Sequence, residues 1–337
     1  MNSGASGAGG RPGRGAQQDL RKKMRGWREL LARCGRKPGR KMVHALRVAT
    51  LRVQAEAEFL AGGLEPESKD ARGVRRWSKQ GNKLRRALGR LRQADVHLGK
   101  LARLRGGGGA GAHVHPECPQ ECAGEIAELE RRIARGRNAA AKRVGAEIER
   151  RRKRLERLSK GVEDALASAA PAEAGGSSKA IGGLIAELSG EFGELTAETL
   201  HAFRKRIKKT RYLAEIVARG DAEAARQAAA LKRMAEAAGE WHDWQMLAEE
   251  ARRSCGEVGA LAGFLEARAG KALERALGVC RRSMAQLLGR AANGNGQIRD
   301  RDGDGAAGRA ERIARKPVVS AAHDIEGIDK KGSRPAA

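Results

Sequence analysis

Apolar residues recur along this chain at the spacing of amphipathic helices, and no alternating run that would predict a strand is present. The clearest stripe starts at Ile126, Leu129 and Ile133, inside a helix predicted over about 121–169. The same spacing, broken at Gly- and Pro-containing stretches, predicts further helices at about 19–34, 41–61, 67–104, 179–190, 196–219, 221–238, 240–254 and 257–290. The predicted fold class is therefore all-α.

Stretches rich in glycine and small polar residues divide the chain. Residues 1–18 are predicted to be disordered, residues 171–178 (PAEAGGSS) to form a linker, and residues 291–337 to form a disordered tail. Two helical segments, 19–170 and 179–290, lie between them, and each is long enough to bury a core.

The two helical segments look related. HALRVATLRV at 44–53 and HAFRKRIKKT at 201–210 share a His, an Ala, a large apolar residue and an Arg in the same order. Further along, Gly89 and Gly239 lie in similar surroundings. Basic residues precede these two glycines by six positions (Lys83 and Arg233) and by thirteen (Arg76 and Arg226). Too few units repeat for a solenoid, so the matches predict one internal duplication.

The chain is strongly basic in the part that is patterned to fold. Of its formal charge of +27, about +23 falls on residues 19–290, and such an excess indicates a polyanionic partner. Aromatic residues make up only 3% of the chain, which disfavours proteins that stack single-stranded bases on aromatic platforms.

Nothing in the sequence predicts membrane insertion or export. No stretch approaches ~18 uncharged apolar residues, and the first 18 residues have no apolar core of a secretory signal. The five cysteines are odd in number and too sparse for a disulfide scaffold, which favours a reducing cytoplasm.

One predicted helix carries a concentrated basic face. At about 100° per residue, His201 and five neighbours share an arc of about 120°, while Phe203 and Ile207 lie on the opposite side. The five neighbours are Arg204, Lys205, Lys208, Arg211 and Tyr212. Charge runs are usually solvated faces, but here Glu215 is the one acid placed to neutralise this face.

Two further helices carry candidate phosphate-binding residues. In the helix predicted over 67–104, four basic residues fall within about 60° and have no acid at a neutralising spacing. They are Lys79, Lys83, Arg86 and Arg90. In the helix predicted over 41–61, His44 and Arg47 are i, i+3 neighbours, with Arg52 offset to one side.

Other groups of chemically active residues point less clearly to a function. The glycine-rich loop at 106–120 leads into Cys122 and includes His113, His115 and Cys118, which zinc would accept, but their spacing is unusual and favours an inert insertion. Oxidative pairing of Cys118 with Cys122 is the other alternative. His242 and Asp243 point about 100° apart on a helix, which suits a buried structural Asp better than a catalytic dyad.

Four motifs in order resemble the CHAD family, a histidine-containing α-helical domain. The first segment has V-H-x-x-R-V-x-x-x-R from Val43 to Arg52, and then Gly89, Arg92, Asp95 and Val96 of G-x-x-R-D-x-D-V. The second has H-x-x-R-K-x-x-K-x-x-R-Y from His201 to Tyr212, and G-E-x-x-D-W from Gly239 to Trp244. Leu51, Gln54 and Gln93 depart from the family pattern, and the resemblance runs from about 19 to 290.

The resemblance implies two four-helix CHAD bundles at 19–170 and 179–290, with long antiparallel helices, pseudo-two-fold symmetry and a shared basic cleft. It also implies binding of inorganic polyphosphate, often at polyphosphate granules, without catalysis, cofactor or metal. The expected binding residues are the His, Arg, Lys and Tyr residues named above on the basic faces, together with Arg76, Arg226 and Arg233.

Two other functions would fit parts of the sequence. Non-specific nucleic-acid binding fits the charge, although no helix-turn-helix or zinc-finger signature is present. A triphosphatase domain of the CYTH type, which accompanies some relatives, would need an alternating Glu/Lys strand, and Glu56 and Glu58 lie instead in a predicted helix. The sequence leaves protein partners and the oligomeric state open.

Overall fold

The computed structural model describes residues 12–105, 119–167, 178–218, 221–255 and 259–289. These residues form eight α-helices and one short 3-10 turn at Ala61–Gly63, with no strand among them, so the all-α prediction is confirmed. The helices are α1 (Pro12–Arg36), α2 (Arg40–Leu60), α3 (Lys69–Leu104), α4 (Cys122–Ala167), α5 (Ser178–Phe192), α6 (Ala197–Val217), α7 (Ala222–Cys255) and α8 (Ala260–Leu287). Residues 1–11, the loop at 106–118, residues 171–177 of the predicted linker and the tail at 291–337 lie outside the described part.

Local sequence signals fix several helix ends. The Ser68 side chain accepts a hydrogen bond from the Ala71 amide at 3.1 Å and so caps α3. Thr196 and Thr199 form a reciprocal capping box at the start of α6. Both caps give a hydrogen-bond acceptor to backbone amides that have no partner within the first turn, so they set where these two basic helices begin.

Two helices differ from the prediction. α1 begins at Pro12, so the part of segment 1–18 from residue 12 onward is helical; proline suits the first turn, where no amide donor is needed. The predicted break between 238 and 240 is also wrong, because α7 runs unbroken through Gly239. A glycine costs a helix about 1 kcal/mol, and burial of Ala238 and Trp241 on either side outweighs that cost.

Three apolar cores hold the helices together. The first is formed by α1, α2, α3 and α4 around Trp27 and Trp77, whose rings meet edge to face with their centroids 5.7 Å apart. The second is formed by α5, α6, α7 and α8 around Phe203 and Ile207. The third combines the end of α3 and the start of α4 with the end of α7 and the start of α8, at residues such as Leu101.

The third core makes α1 to α8 one compact unit. The predicted segments 19–170 and 179–290 both lie within this unit, and the long helices of each pack on those of the other. Phe59 of α2 also packs against the second core. The two basic helices α2 and α6 are brought together in this way.

A buried ion pair holds the start of α2 in place. Arg137 of α4 donates from Nε to Asp95 of α3 at 3.0 Å and from Nη2 to the Pro38 carbonyl at 2.9 Å. Asp95 is buried, so this contact ties the α1–α2 connection to the pair α3 and α4. The motif aspartate Asp95 therefore acts on the position of α2.

Candidate basic anion-binding site

The basic face of α6 is held inward by its apolar side. Phe203 and Ile207 are buried in the second core, and this orientation places Lys208 near Arg47 of α2. On the same side, His201 lies beside His242 of α7, and Arg204 lies near Asp243 of α7. The predicted face is thus a single surface with a fixed orientation.

The basic face of α2 meets that of α6. Arg47 of α2 donates from Nη1 to the Arg85 carbonyl of α3, and its charge acts on both Lys208 and His44. Arg92 of α3 lies near enough to act on His44 and Arg47. We define the central basic cluster as His44, Arg47, Arg85, Arg92, His201, Arg204, Lys208, Arg211 and His242, together with the acid Asp243.

Burial and mutual repulsion perturb the lysine and arginines of this cluster. The pKa of Lys208 falls to about 8; burial is the largest cause, and the charges of Arg204, Arg47 and Arg211 add to it, while Asp243 opposes them. Burial likewise lowers the pKa of Arg47, and of Arg204 despite Asp243. The negative charge around these closely spaced cations is too small to balance them, so an added anion would be strongly stabilised here.

The histidines of the cluster are neutral at pH 7. Burial, then the neighbouring cations, lowers the pKa of His44 and of His201, and lowers that of His242 to about 3. The rings of His201 and His242 lie 4.9 Å apart between centroids. Nδ1 of His242 and Nε of Arg204 are buried and have no hydrogen-bond partner in the described part of the chain, as expected for groups that await a ligand.

Asp243 is the acid at the centre of the cluster. Burial raises its pKa, while Lys100, Arg204, Lys208 and Arg92 oppose that effect. A carboxyl group surrounded by cations offsets part of their repulsion in the absence of a ligand. It therefore serves the cluster as a counterion, which agrees with the predicted buried structural role.

Acidic and aromatic residues border the cluster at its Arg211 end. Arg211 Nε lies 3.2 Å from Glu215 Oε1, and its guanidinium lies 4.5 Å over the ring of buried Tyr212. Arg52 of α2 lies 3.8 Å from the other oxygen of Glu215. Glu215 therefore links α2 to α6 and partly neutralises both arginines. Lys205, which is exposed, acts on His201 and His242 from the rim.

The predicted face of α3 does not join the cluster. The basic residues predicted on α3 are all exposed, and most of them lie about 120° or more around the helix from Arg85 and Arg92. They are Arg76, Lys79, Lys83, Arg86 and Arg90. Lys83 and Arg86 line a groove against α4. Their assignment to polyphosphate binding stays a prediction that the geometry does not support.

The matched residues of α7 also lie elsewhere. Arg226 pairs with Glu223, and Arg233 donates to Gln286 of α8 at 3.3 Å. Both are exposed. The repeated spacing before Gly89 and Gly239 thus marks an exposed face of each helix.

Sequence reasoning missed two arginines and one neutral histidine of the cluster, and one neighbouring lysine. Arg85, Arg92, His242 and the adjacent Lys100 lie away from the most basic arc of each helix, which is the arc that the sequence pattern favours. Arg85 and Arg92 are seven residues apart and share a half-buried face, which was the signal available. The described residues contain no group of three or more His, Cys, Asp or Glu that could hold a metal ion, and the His113 to Cys118 part of the loop lies outside them.

A family model described as CHAD domain matches residues 15–252, about seven tenths of the chain. The chain belongs to the CHAD family. No curated protein and no solved structure matches it significantly. The CHAD match contains every residue of the central basic cluster, whereas α8 lies beyond it.

The departures from the CHAD motifs have structural consequences. Gln54 is buried and donates to the Ser78 carbonyl at 2.7 Å. Its amide lies so close to Gly81 that a Cβ there would be 2.8 Å away, so the glycine permits this contact. Gln93 lies 2.6 Å from a ring nitrogen of His97. Both glutamines serve interhelical or local packing, so the charge of the first half comes from Arg47, Arg85 and Arg92.

Proposed function

We propose that this protein binds inorganic polyphosphate at the central basic cluster, without catalysis. The observation that carries the proposal is the convergence of Arg47 from α2 and Arg204 from α6 on Lys208, whose buried ammonium both arginines repel. Helix α7 contributes His242, whose buried Nδ1 has no partner in the described part of the chain. A phosphate would supply both the missing charge and the missing hydrogen bonds.

Polyphosphate suits this arrangement better than a nucleic acid strand does. It carries a charge on every unit and has no bases, so it needs converging Lys and Arg and no stacking platform. Tyr212, which lies beneath Arg211 of the cluster, is buried and offers no open face of that kind. CHAD membership adds the association of this family with polyphosphate.

The proposal extends to symmetry and location. His44 on α2 corresponds in position to His201 on α6, and Gly89 on α3 corresponds to Gly239 on α7. These matches support an internal duplication with a shared basic cleft. A cytoplasmic protein associated with polyphosphate granules follows from the ligand. None of the helices in the described residues is long and apolar enough to cross a membrane.

The outer surface of α4 supports a second candidate function. Nine exposed basic residues lie within an arc of about 120° and extend about 42 Å along the helix. This α4 ridge consists of Arg132, Arg135, Lys142, Arg143, Arg150, Lys153, Arg154, Arg157 and Lys160. A straight exposed ridge of this kind fits the phosphates of a nucleic acid duplex, which are contacted from outside.

Two matched triple variants separate these functions. The cluster variant replaces Arg47, Arg204 and Lys208 by glutamine, and the ridge variant replaces Arg132, Arg143 and Arg154 by glutamine. Each removes three positive charges, so the long-range field changes equally and a difference in affinity must come from geometry.

The cluster variant should bind long-chain polyphosphate at least ~100-fold more weakly, since each charged hydrogen bond is worth about 1.5–3 kcal/mol. The ridge variant should change that affinity by less than about threefold. Circular dichroism and thermal melting check first that both variants are folded. Equal weakening by both variants, or weakening by the ridge variant alone, would remove the cluster as the binding site.

A further inference from the structure

Six exposed cations form a straight stripe along α3, outside the central basic cluster. They lie within an arc of about 80° and extend over about 27 Å of the helix. None of them makes an ion pair in the part of the chain that the structure describes. This α3 stripe consists of Arg72, Arg76, Lys79, Lys83, Arg86 and Arg90.

The spacing of the α3 stripe is that of a helix that packs along a second helix. Successive members are separated by four, three, four, three and four residues, the alternation found along one side of a heptad repeat. Neighbours at these separations repel each other, and such like-charge pairs destabilise a helix. A second helix that carries carboxylates at the same alternation would relieve this repulsion along the whole stripe.

A concave groove between α3 and α4 adjoins the stripe. It has a volume of about 300 Å³, and two cations of the stripe are part of its lining. Its floor is aliphatic, with Leu84 and Ala87 from α3 and Val144 from α4. On the α4 side, Arg151 forms an ion pair with Glu147, so a carboxylate already neutralises that edge. Apolar side chains that flank the acids of a docked helix could pack on this floor.

We infer that the α3 stripe and the adjoining groove dock an acidic amphipathic helix of a partner protein. Its Asp and Glu side chains pair with the stripe, and apolar side chains on one flank enter the groove. A polymer of phosphates gains nothing from an aliphatic floor, which favours a helix as the occupant. A second copy of this chain is unsuited to the site, because each copy carries a net charge of +27. The inference goes beyond the proposed function because it assigns a separate surface and a different partner.

Fluorescence anisotropy with two synthetic helical peptides tests the inference at about 150 mM salt. The matched peptide, of about 25 residues, carries Glu at the alternating spacing of the stripe and Leu along one flank. The scrambled peptide has the same composition, with its Glu residues spread around the helix. The full-length protein should bind the matched peptide at least ~10-fold more tightly than the scrambled one. Replacing the flanking Leu residues of the matched peptide by Gln should weaken its binding at least ~5-fold.

Three matched variants of the protein locate the binding surface. The stripe variant replaces Lys79, Lys83 and Arg86 by glutamine; all three residues are exposed, and circular dichroism checks that the variant is folded. Its affinity for the matched peptide should fall about tenfold. The ridge variant and the cluster variant remove the same charge and should change that affinity by less than about threefold, because distant exposed charges are screened at this salt.

Equal binding of the matched and scrambled peptides would overturn the inference, because only total charge would then matter. Equal losses in the three variants would contradict it for the same reason. A stripe variant that binds the matched peptide unchanged but loses affinity for long-chain polyphosphate or a DNA duplex would show that the stripe binds phosphates instead. Each of these failures leaves the proposed function intact, because that function depends on polyphosphate binding by the cluster variant.

Discussion

Replacing Lys208 by methionine should stabilise the folded protein while it weakens polyphosphate binding. The Lys208 ammonium lies among Arg204, Arg47 and Arg211, and burial is the main reason that its pKa falls from 10.5 to about 8. At about 1.4 kcal/mol for each pH unit, the charged form costs the folded state up to about 3 kcal/mol at pH 7. Methionine keeps the apolar stem and removes the charge, so we expect a gain in unfolding free energy of about 1–3 kcal/mol.

The pH dependence gives this prediction a characteristic signature. The pKa of Lys208 is lower in the folded state than in the unfolded chain, so the destabilisation is complete below about pH 8 and disappears between about 8 and 10.5. The stability difference between the variant and the parent protein should therefore shrink over that range.

Urea denaturation followed by circular dichroism at pH 7 and at about pH 9.5 measures both effects. Lys205→Met, an exposed change on the same helix, is the control and should lie within ~0.5 kcal/mol of the parent at both values. Polyphosphate affinity of Lys208→Met at pH 7 should fall about 10- to 100-fold. A variant that is less stable than the parent at pH 7, or a stabilisation that does not change with pH, would refute the reasoning.

Three further predictions concern other parts of the site. Polyphosphate affinity should rise about tenfold from pH 7 to pH 5, because His44 and His201 are neutral at pH 7 and become charged beside the ligand. The double variant His44→Gln with His201→Gln should remove this pH dependence when binding is measured by calorimetry. Asp95→Ala should lower the unfolding free energy by about 1.5–3 kcal/mol in urea titrations, because it removes the carboxylate partner of the half-buried Arg137, and a neutral result would exclude that role. Asp243→Asn should strengthen polyphosphate binding about fivefold at low salt, because it removes the central acid, and weaker binding would show that the carboxylate holds the site together.

The sequence was sufficient to predict the α6 face. Phe203 and Ile207 define its apolar side, so the positions of His201, Arg204 and Lys208 on the opposite side follow from helical geometry alone. The departures arise where tertiary packing decides. On α3 the most basic arc, at Lys79 to Arg90, is exposed, and half-buried positions such as Arg85 form the site.

Two other features depend on contacts that are distant along the chain. The third core joins Leu101 and Ile126 to Leu247 and Leu261, and no local pattern predicts which helix ends meet. The same holds for Lys100, which lies close to Trp244 only because α3 packs on α7. Helix propensity placed a break at Gly239, and burial on both sides overrode it.

In our proposal, the cations of the central basic cluster bind polyphosphate between α2 and α6. Its most direct test is a competition titration in which long-chain polyphosphate displaces a labelled DNA duplex from the wild-type protein at about 150 mM salt. We predict that polyphosphate displaces the duplex at a phosphate concentration at least ~100-fold lower than unlabelled duplex requires, and that the cluster variant loses this advantage. Equal displacement by polyphosphate and duplex at matched phosphate concentration would contradict the account.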